Sequence, residues 1–383
     1  MKKKKLLILV NYLSFFLSHR LPIAEASLAK GFDVFIGYGE LRGADPKLLE
    51  KKGFKVNFVP MQPGGINFFK DLKTIYYIWS LFKKINPDII HLVTIKPYLY
   101  GGLISRLTGV PSLVSAVSGL GSLFISKNLK SRFLRLLLYP LYKLAFNHAN
   151  QKIIVQNEDD LKALIQWGVL KGSKTRLIKG SGVELKKFKN LNEPEGIPTI
   201  CFAARLIKDK GVFEFVAAAK ILKEQGVKAR FLLAGDLDTN NPSGLSADDL
   251  YKLKNKGFIE IMGYYKDIAS LYAKSNIICL PSYREGFPKS LIEAAAASRT
   301  VVTTDVPGCR DAIIPNKTGL LVPVEDSLKL AEALRWLIEN PKKRITMGRA
   351  GRKLAEKEFP VKKIVNEHLD IYLDLLRNNS KSI

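Results

Sequence analysis

A chain of 383 residues is long enough for two domains, and 47% hydrophobic with 25% charged residues is ordinary for a globular protein. The three cysteines are scattered, which excludes a disulfide framework and a zinc site and indicates a reducing cytoplasm. The net charge of +26 is uneven, because residues 1–190 carry 31 Lys and Arg against 11 Asp and Glu. Such a basic half predicts an acidic partner: nucleic acid, anionic lipid or a phosphorylated substrate.

The N-terminus imitates a signal peptide, since the lysines before Leu6 precede an apolar run, Leu6–Val10. No small-residue cleavage site follows and polar residues interrupt the run, so Leu6–Val10 is interpreted as a first buried strand. No stretch reaches the roughly 18 apolar residues that a membrane span needs.

Short apolar runs alternate with helical patterns along the chain, which predicts an α/β fold with parallel sheets. The predicted strands are Leu6–Val10, Asp33–Gly37, Lys55–Val59, Ile89–Leu92, Leu113–Ala116, Lys152–Gln156, Thr199–Ala203, Ala229–Ala234, Ile259–Met262, Ile277–Leu280, Thr300–Thr303 and Leu320–Val322. The predicted helices include Pro22–Lys30, Phe68–Ile85, Val212–Gln225, Ser290–Ala297, Ser327–Glu339 and Val361–Leu376.

We expect two Rossmann-like domains facing a cleft, residues 1–184 and 185–360, because Lys, Asn, Glu, Pro and Gly cluster over residues 180–198. The amphipathic helix within residues 361–383 is expected to pack back on the first domain. A dinucleotide dehydrogenase shares this outline, but it requires Gly-x-Gly-x-x-Gly after the first strand. The corresponding turn, residues 11–20, contains no glycine. His19, together with Arg20, is a candidate for lining the cleft. His19 is predicted to open a helix, and capping that helix is its alternative role.

The segment Leu123–Ala149 interleaves basic residues with aromatic and leucine side chains, and no acidic residue lies between Asp88 and Glu158. It predicts a helix pair or a broken helix with a basic face, which suits a membrane interface. A buried helix with a solvated basic rim is the alternative. Nucleic acid is disfavoured, because no known binding module is present.

Glu285 and Glu293 lie eight residues apart, one in a strand-to-helix loop and the other about two turns into the following helix. A helix N-terminus after a parallel strand is an anion site, because unpaired amides and the helix dipole point there. Carboxylates accept hydrogen bonds from vicinal hydroxyls. The pattern predicts a nucleotide-sugar site, in which the donor also meets Gly286, Phe287, Pro288, Lys289 and Ser290.

Arg205 and Lys210 follow the strand Thr199–Ala203 and precede a helix, which places both to bind a diphosphate; surface charge on a loop is the alternative. Gly235 with Asp236, and Gly263, follow two further strands and are weaker candidates beside a base or ribose.

Candidates for the cleft side of the first domain also follow predicted strands. They are Thr94, Lys96, Ser118 and Gly119, with His91 as either a cleft residue or a core histidine. The run 118–121 offers flexible backbone and free amides that can approach a sugar or phosphate closely.

These motifs together resemble glycosyltransferase family 4, retaining enzymes of the GT-B fold. Glu285 with Glu293 matches the family's Glu-x7-Glu signature, and Arg205 with Lys210 matches its diphosphate-binding pair. The strings 16–22, 93–97, 117–121, 280–286 and 304–310 are similar to those of the branch that builds bacterial polysaccharides and lipid-linked glycans.

The resemblance implies that Glu285 approaches the donor sugar hydroxyls and Glu293 the nucleotide ribose. Transfer would occur on the front face with retention, and Arg205, Lys210 and helix amides would stabilise the leaving diphosphate. No metal is expected, since no Asp-x-Asp motif is present. The chain departs from the family after its first strand, which lacks glycines, and at Ser118, where many members place a histidine. His19 therefore becomes a candidate for the first-domain acid/base or sugar-positioning group.

The function expected is transfer of a hexose or N-acetylhexosamine from a nucleoside-diphosphate sugar, UDP by resemblance, to a polyprenyl-diphosphate-linked glycan. The expected location is peripheral, at the cytoplasmic face of the bacterial plasma membrane. A nucleotide-sugar epimerase of the same fold would leave the basic patch unexplained. A non-catalytic membrane or nucleotide-sugar binding module would not need the four charged residues.

Overall fold

The computed structural model describes residues 3–62, 65, 67–120, 129–189, 192–238, 241 and 243–380. The chain divides into two compact units, Met1–Ser181 with Lys362–Ile383, and Gly182–Val361. Each unit contains one sheet in which every described strand pair is parallel, which confirms the predicted α/β class. Among the described helices, none combines the length and apolarity that crossing a bilayer requires.

The first unit has a seven-stranded sheet in the order β3-β2-β1-β4-β5-β6-β7. Its strands are β1 (Lys5–Tyr12), β2 (Asp33–Glu40), β3 (Lys55–Phe58), β4 (Ile89–Val93), β5 (Ser112–Val117), β6 (Gln151–Val155) and β7 (Thr175–Leu177). Its helices up to this point are α1 (Leu13–His19), α2 (Leu21–Ala29), α3 (Lys47–Glu50), α4 (Phe68–Ile85), α5 (Gly102–Leu107), α6 (Leu129–Ala145) and α7 (Glu158–Gln166).

The second unit has a six-stranded sheet in the order β10-β9-β8-β11-β12-β13. Its strands are β8 (Thr199–Ala203), β9 (Arg230–Ala234), β10 (Glu260–Gly263), β11 (Ile277–Leu280), β12 (Thr300–Thr304) and β13 (Gly319–Val322). Its helices are α8 (Val212–Glu224), α9 (Ala247–Asn255), α10 (Ile268–Ala273), α11 (Lys289–Ala296), α12 (Ser327–Glu339) and α13 (Pro341–Glu358). The chain ends in α14 (Val361–Ser380), which belongs to the first unit from Lys362 onward.

The central strands are buried on both faces, as parallel sheets covered by helices require. The side chains of residues 6–10 in β1 and of 277–279 in β11 are fully buried. Such strands have continuous apolar sequences rather than alternating ones, and for that reason the twelve strands predicted above are all present. β7 escaped prediction because it has only three residues, partly or largely exposed.

The irregular turn predicted over residues 11–20 is wrong, because α1 begins directly after β1. Leu13 and Phe16, one helical turn apart, are both fully buried, and this apolar pair packs the segment as a helix without a side-chain cap. His19 is the last residue of α1, so the prediction that it opens a helix is also wrong.

The helix α14 packs on the first unit through polar contacts as well as apolar ones. The side-chain amide of Asn150 donates to the carbonyl oxygen of Leu375 at 2.8 Å, and the Nδ1 atom of His91 lies 2.6 Å from the hydroxyl of Tyr372. Ile364, Tyr372 and Leu375 are at most 1% exposed. The apolar face of α14 is therefore buried against the rest of the first unit.

A cluster of buried polar side chains lies between the sheet of the first unit and α14. It comprises Arg20, His91, His368 and Tyr372, each at most 1% exposed. Burial, and then its neighbours His368 and Arg20, hold the pKa of His91 well below its usual value. Burial lowers the pKa of His368 to about 3, with Arg20 acting in the same direction. Both histidines are therefore neutral in the folded protein, and His91 is a core histidine.

Candidate functional site

The site of the second unit forms where the direction of strand order reverses, between β8 and β11. In open α/β sheets this switch point is where loops separate and ligands bind, beyond the carboxyl ends of the strands. The loop after β8 carries Arg205 and Lys210, and the loop after β11 carries Glu285. The topology thus brings the three predicted residues to one edge of one sheet.

Lys210 ends a short 3₁₀ turn, Lys208–Lys210, that lies against the loop after β11. The next residue, Gly211, has φ +75°, and a Cβ there would lie 2.1 Å from the carbonyl oxygen of Pro281. Only glycine permits this approach, since a side chain would meet backbone. As a result the ammonium of Lys210 forms an ion pair with Glu285, and the two side chains are only 17% and 11% exposed.

Glu285 is held from three sides. The hydroxyl of Ser282 lies 2.8 Å from its Oε1 atom, and its backbone amide donates to the carbonyl of Pro307 at 3.3 Å. Gly308, with φ +80°, passes so close that a Cβ there would lie 2.6 Å from the carbonyl oxygen of Glu285. The loop after β12 therefore sets the backbone position of this glutamate.

Arg205 forms an ion pair with Asp238, whose Oδ2 atom lies 2.7 Å from Nη1. The Asp238 side chain is 5% exposed whereas that of Arg205 is 50% exposed, so a buried carboxylate holds one end of a guanidinium that still faces solvent. A fixed, half-exposed guanidinium can bind a diphosphate through its remaining donors. Sequence reasoning missed Asp238, although it closely follows the Gly235–Asp236 pair that was singled out.

Glu293 lies in α11, and its carboxylate is 3.3 Å from the ammonium of Lys289, one turn earlier. Burial raises the pKa of Glu293, while Lys289 and Lys187 act in the opposite direction. The N-cap of α11 is Pro288, which supplies no side-chain hydrogen bond, so the first turn has no side-chain cap. The positive end of this helix begins four residues after Glu285 and favours an anion.

The residues between the two glutamates have different environments. Gly286, Phe287 and Pro288 are buried, and the Phe287 ring packs edge-on against Phe359 with centroids 5.5 Å apart. Lys289 and Ser290 are partly exposed. The three buried residues fix the course of the loop, whereas Lys289 and Ser290 present polar side chains to solvent.

Gly235 and Gly263 lie side by side at the ends of β9 and β10, where the amide of Gly235 donates to the carbonyl of Gly263 at 2.8 Å. A Cβ on Gly235 would lie 1.8 Å from the carbonyl oxygen of Ala204, so its backbone must be glycine. The side chain of Asp236 is exposed, and its carbonyl accepts from the amide of Leu206 at 2.9 Å. These residues border the Arg205 loop.

In the first unit, the loop after β5 carries Ser118 and Gly119. The Nη2 atom of buried Arg20 lies 3.4 Å from the hydroxyl of Ser118, and Gly119 has φ +108°. Gly121, the last residue of the predicted glycine run, lies outside the described residues. The serine thus contacts Arg20, a first-domain candidate from the sequence that the structure places in a buried position.

The loop after β4 carries Thr94 and Lys96. Thr94 has φ +75°, a strained conformation for a β-branched residue and one that concentrates at functional sites. Lys96 is buried and its ammonium lies 2.7 Å from Asp71 of α4. A π-helical turn, Pro97–Gly101, follows. The ion pair of Lys96 with Asp71 fixes α4 to this edge of the sheet. The strained backbone lies at Thr94, two residues before Lys96.

His19 is partly exposed by contrast with the buried histidines. Its Nδ1 atom lies 2.7 Å from the hydroxyl of Ser18, and its ring stacks on Phe15 with centroids 4.2 Å apart. The N-cap of α2 is Arg20, without a side-chain hydrogen bond, so neither residue caps that helix as predicted for His19.

In the described part of the basic segment that was predicted as a helix pair or broken helix, residues 129–145 form the helix α6, with Pro140 inside it. Residues 121–128, where that segment starts, lie outside the described part of the chain. The exposed apolar side chains of α6 are Leu129, Phe133, Leu136, Leu137 and Leu144. Because they share the surface with Arg132 and Lys143, the alternative of a buried helix with only a basic rim does not describe α6.

Two family sequence models match this chain, and together they span most of it. "Glycosyl transferase 4-like" matches residues 5–157, and "Glycosyl transferases group 1" matches residues 183–354. The second match includes Arg205, Lys210, Glu285 and Glu293.

Among similar proteins, "N,N'-diacetylbacillosaminyl-diphospho-undecaprenol alpha-1,3-N-acetylgalactosaminyltransferase" of Campylobacter jejuni is 31% identical over 385 residues, covering 95% of this chain and 99% of that protein. "Capsular polysaccharide biosynthesis glycosyltransferase CapM" of Staphylococcus aureus is 28% identical over 99% of both chains. Among solved structures, sucrose-phosphate synthase of Thermosynechococcus elongatus superposes with a TM-score of 0.77 at 22% identity, covering 98% of this chain and 100% of that one. The last likeness concerns the fold alone.

Proposed function

The chain belongs to glycosyltransferase family 4 and has the GT-B fold, and from that premise we propose that it is a retaining transferase acting on a lipid-linked glycan. It moves a hexose or N-acetylhexosamine from a nucleoside-diphosphate sugar to a polyprenyl-diphosphate-linked acceptor. The product belongs to a bacterial surface polysaccharide or a glycoprotein glycan. The observation that carries this proposal is the ion pair of Lys210 with Glu285 beside Arg205, at the switch point of the second sheet.

The donor diphosphate binds to the cations of this edge. Arg205 presents a planar fork, Lys210 a point charge, and the first turn of α11 its amides. In transfer, the bond from the anomeric carbon to the diphosphate oxygen breaks and the acceptor hydroxyl oxygen bonds the same face of that carbon. The acceptor proton leaves with the diphosphate. Negative charge accumulates on the departing diphosphate, and preorganised cations and dipoles that meet it lower the barrier, so the proposal includes no metal ion.

Glu285 and Lys210 neutralise each other in the structure, which suits a site whose ligand carries both hydroxyls and phosphates. When the donor binds, sugar hydroxyls replace the ammonium on Glu285, and phosphate oxygens replace the carboxylate around Lys210. Glu293 accepts from the ribose, and the raised pKa of its buried carboxyl marks a charge that is costly without a ligand.

The acceptor side is assigned to the first unit, with Ser118, Gly119, Thr94, Lys96 and His19 along its strand ends. Its basic, apolar helix α6 lies on the anionic cytoplasmic surface of the membrane, where the polyprenyl diphosphate is anchored. The lipid-linked acceptor is supported by two similar proteins, whose names specify diphospho-undecaprenol or diphosphoundecaprenol glycans. A uridine nucleotide is proposed because the second of these relatives is "UDP-Gal:alpha-D-GlcNAc-diphosphoundecaprenol alpha-1,3-galactosyltransferase" of Escherichia coli, 25% identical over 335 residues and 84% of each chain.

A donor screen tests the proposal. Purified protein is mixed with a panel of UDP- and GDP-sugars, and melting temperature and nucleotide release are measured with and without a polyprenyl-diphosphate-linked glycan. One donor should raise the melting temperature, since a ligand that binds only the folded state stabilises it, and should release nucleotide faster with acceptor. Conversion of a donor without any acceptor would favour the epimerase instead. The absence of binding and turnover with every donor would refute the transferase.

A further inference from the structure

The helix α4, Phe68–Ile85, exposes an unusual set of large side chains that the proposed site does not use. Phe68 is 69% exposed, Phe69 80%, Tyr76 61% and Trp79 40%. Soluble proteins leave single apolar residues on the surface, but contiguous exposed apolar patches mark interaction sites.

The helix has three distinct faces. Its inner face is buried through Asp71, Thr74, Ile78, Leu81, Phe82 and Ile85. At about 100° per residue, one half of the outer face carries an aromatic stripe and the other half a basic stripe. The aromatic stripe is Phe68, Phe69, Leu72, Tyr76 and Trp79, with exposed Lys83 among them, and the basic stripe is Lys70, Lys73 and Lys84, with exposed Tyr77 among them.

The aromatic stripe has the composition of a bilayer interface. Trp and Tyr concentrate at the headgroup level, because an apolar ring and a polar tip suit that boundary. Tyr76 and Trp79 lie one turn apart with ring centroids at 6.0 Å. Lysines beside them extend their ammonium groups to anionic headgroups while their methylene chains stay on apolar surface. Among the described contacts, none pairs Lys70, Lys73 or Lys84 with a carboxylate.

We propose that α4 is a second membrane-contact face, which lays its aromatic stripe in the headgroup region of an anionic bilayer with its lysines on the phosphates. The inference deepens the proposed function, since it rests on an acceptor anchored in a membrane. A second copy of this chain is a poorer occupant. Two copies paired through this face would each bring the same lysines to the interface, and like charges repel, whereas an anionic bilayer complements them.

The membrane contact proposed for α4 lies close to the sheet edge where the acceptor is proposed to bind. Asp71, in the first turn of α4, forms the buried ion pair with Lys96 at 2.7 Å, and Lys96 lies two residues after strained Thr94. The helix is therefore fixed to the carboxyl end of β4, where the acceptor is proposed to lie. A bilayer bound to the outer face of α4 would keep a lipid-anchored acceptor near that edge.

A single-tryptophan experiment tests the inference, because the chain has three tryptophans, Trp79, Trp167 and Trp336. Trp79 and Trp336 are both 40% exposed, one on α4 and the other on α12 of the second unit. Two variants, Trp167→Phe with Trp336→Phe, and Trp79→Phe with Trp167→Phe, leave one of these as the sole fluorophore. Each is mixed with vesicles of phosphatidylcholine and phosphatidylglycerol in which the acyl chains of the phosphatidylcholine are brominated.

We expect the emission of Trp79 to shift to the blue and to be quenched by bromine, while the emission of Trp336 stays unchanged. Vesicle binding without quenching of Trp79 would overturn the inference and leave α6 as the contact. Equal quenching of both tryptophans would also overturn it.

Affinity for the same vesicles, without bromine, supplies a second test. Lys73→Gln with Lys84→Gln should weaken binding roughly 25-fold, at about fivefold per lysine near an anionic surface. Phe69→Gln with Tyr76→Gln should weaken it at least about tenfold, since interfacial binding scales with buried apolar area. The control is Lys342→Gln with Lys343→Gln on α13, two equally exposed lysines that should change nothing.

Two further measurements separate the possible failures. Sedimentation without lipid detects self-association. If the protein is a dimer and Phe69→Gln with Tyr76→Gln dissociates it, the outer face of α4 binds a second copy, and the membrane contact is refuted. Transfer to a short-chain, water-soluble acceptor analogue should be unchanged in all α4 variants. If transfer fails in the wild type as well, the proposed function fails, whereas quenching of Trp79 still decides the membrane contact.

Discussion

At the sheet edge of the second unit, cationic side chains are paired with carboxylates. The exposed lysines of α4 in the first unit, by contrast, have no carboxylate partner among the described contacts. Lys210 pairs with Glu285, Arg205 with Asp238 and Lys289 with Glu293. The exposed basic residues of α4 and α6 in the first unit lie beside exposed aromatic and leucine side chains.

The difference separates two ways of binding an anion. A carboxylate that fixes a cation gives a defined geometry, which a diphosphate leaving group requires. Lysines without such partners produce a diffuse field that suits a surface and is weakened by salt. The second unit is therefore built for a small ligand, and the outer helices of the first unit for an extended one. The variants below test each half of this contrast.

The largest effect is expected from the Lys210–Glu285 pair. Glu285→Gln or Lys210→Ala should lower kcat about 100- to 1000-fold, as loss of a preorganised charge does in other enzymes. The double variant should cost less than the two single losses combined, because the residues act as one unit. Glu339→Gln, an exposed carboxylate on α12, is the control and should leave kcat unchanged. Full additivity in this cycle would contradict the account.

A smaller effect is expected at Asp238, a positioning residue that holds Arg205. Asp238→Asn should raise KM for the donor about tenfold and change kcat less, because the guanidinium remains but loses its charged partner. Arg205→Lys should not restore the wild-type KM, since an ammonium lacks the planar fork. An unchanged KM in Asp238→Asn, with an unchanged melting temperature, would show that Arg205 needs no positioning.

At Glu293 we expect a substitution to increase stability and to weaken function. Its pKa is raised in the folded protein, so the folded state disfavours the ionised carboxyl. This penalty is absent below the unfolded pKa, grows as pH rises from the unfolded to the folded pKa, and is fully present above it. Glu293→Gln should therefore melt a few degrees higher than wild type at pH 7, with the difference vanishing near pH 4, as thermal unfolding across pH will show. Donor binding should weaken in the same variant. Lower stability at neutral pH would contradict the burial argument.

The buried histidines of the first unit predict the weakest effect at neutral pH. Burial, and then Arg20, hold the pKa of His368 at about 3, so its stabilising contribution is present above the unfolded pKa of about 6.5 and is lost as pH falls from there toward 3. Thermal unfolding should show a loss of about 1.4 kcal/mol per pH unit for this residue in that window. His368→Leu should reduce the pH dependence of the unfolding free energy in this window, leaving only the contribution of His91. A wild-type stability that is constant from pH 7 to 5 would refute the buried cluster.

Local signals account for the parts of the fold that the sequence predicted well. The helices over Phe68–Ile85 and Ser327–Glu339 have the predicted ends, because Asn67 and Asp326 cap them through their own side chains. The positions of Arg205, Lys210 and Glu285 in loops after β8 and β11, and of Glu293 in the helix that follows, were likewise predictable from the order of strand, loop and helix.

Contacts between distant residues account for what was missed. Asp238 lies 33 residues from Arg205, and Gly308 supports Glu285 from another loop. α1 was expected as a turn, because its helix depends on burial of Leu13 and Phe16 and not on a cap. The buried cluster joins Arg20, between α1 and α2, to His91 of β4 and to α14, which no local pattern indicates.

Calorimetric titration of UDP, with GDP in parallel, tests the diphosphate site most directly, because it needs neither acceptor nor sugar. The variants are Arg205→Ala, Lys210→Ala and the matched control Lys208→Ala, an exposed lysine in the same 3₁₀ turn. The account predicts that Lys208→Ala binds like the wild type, while Arg205→Ala and Lys210→Ala bind at least about tenfold more weakly, as loss of a charge-assisted bond implies. Equal affinity in all four proteins, or no binding of either nucleotide by the wild type, would contradict it.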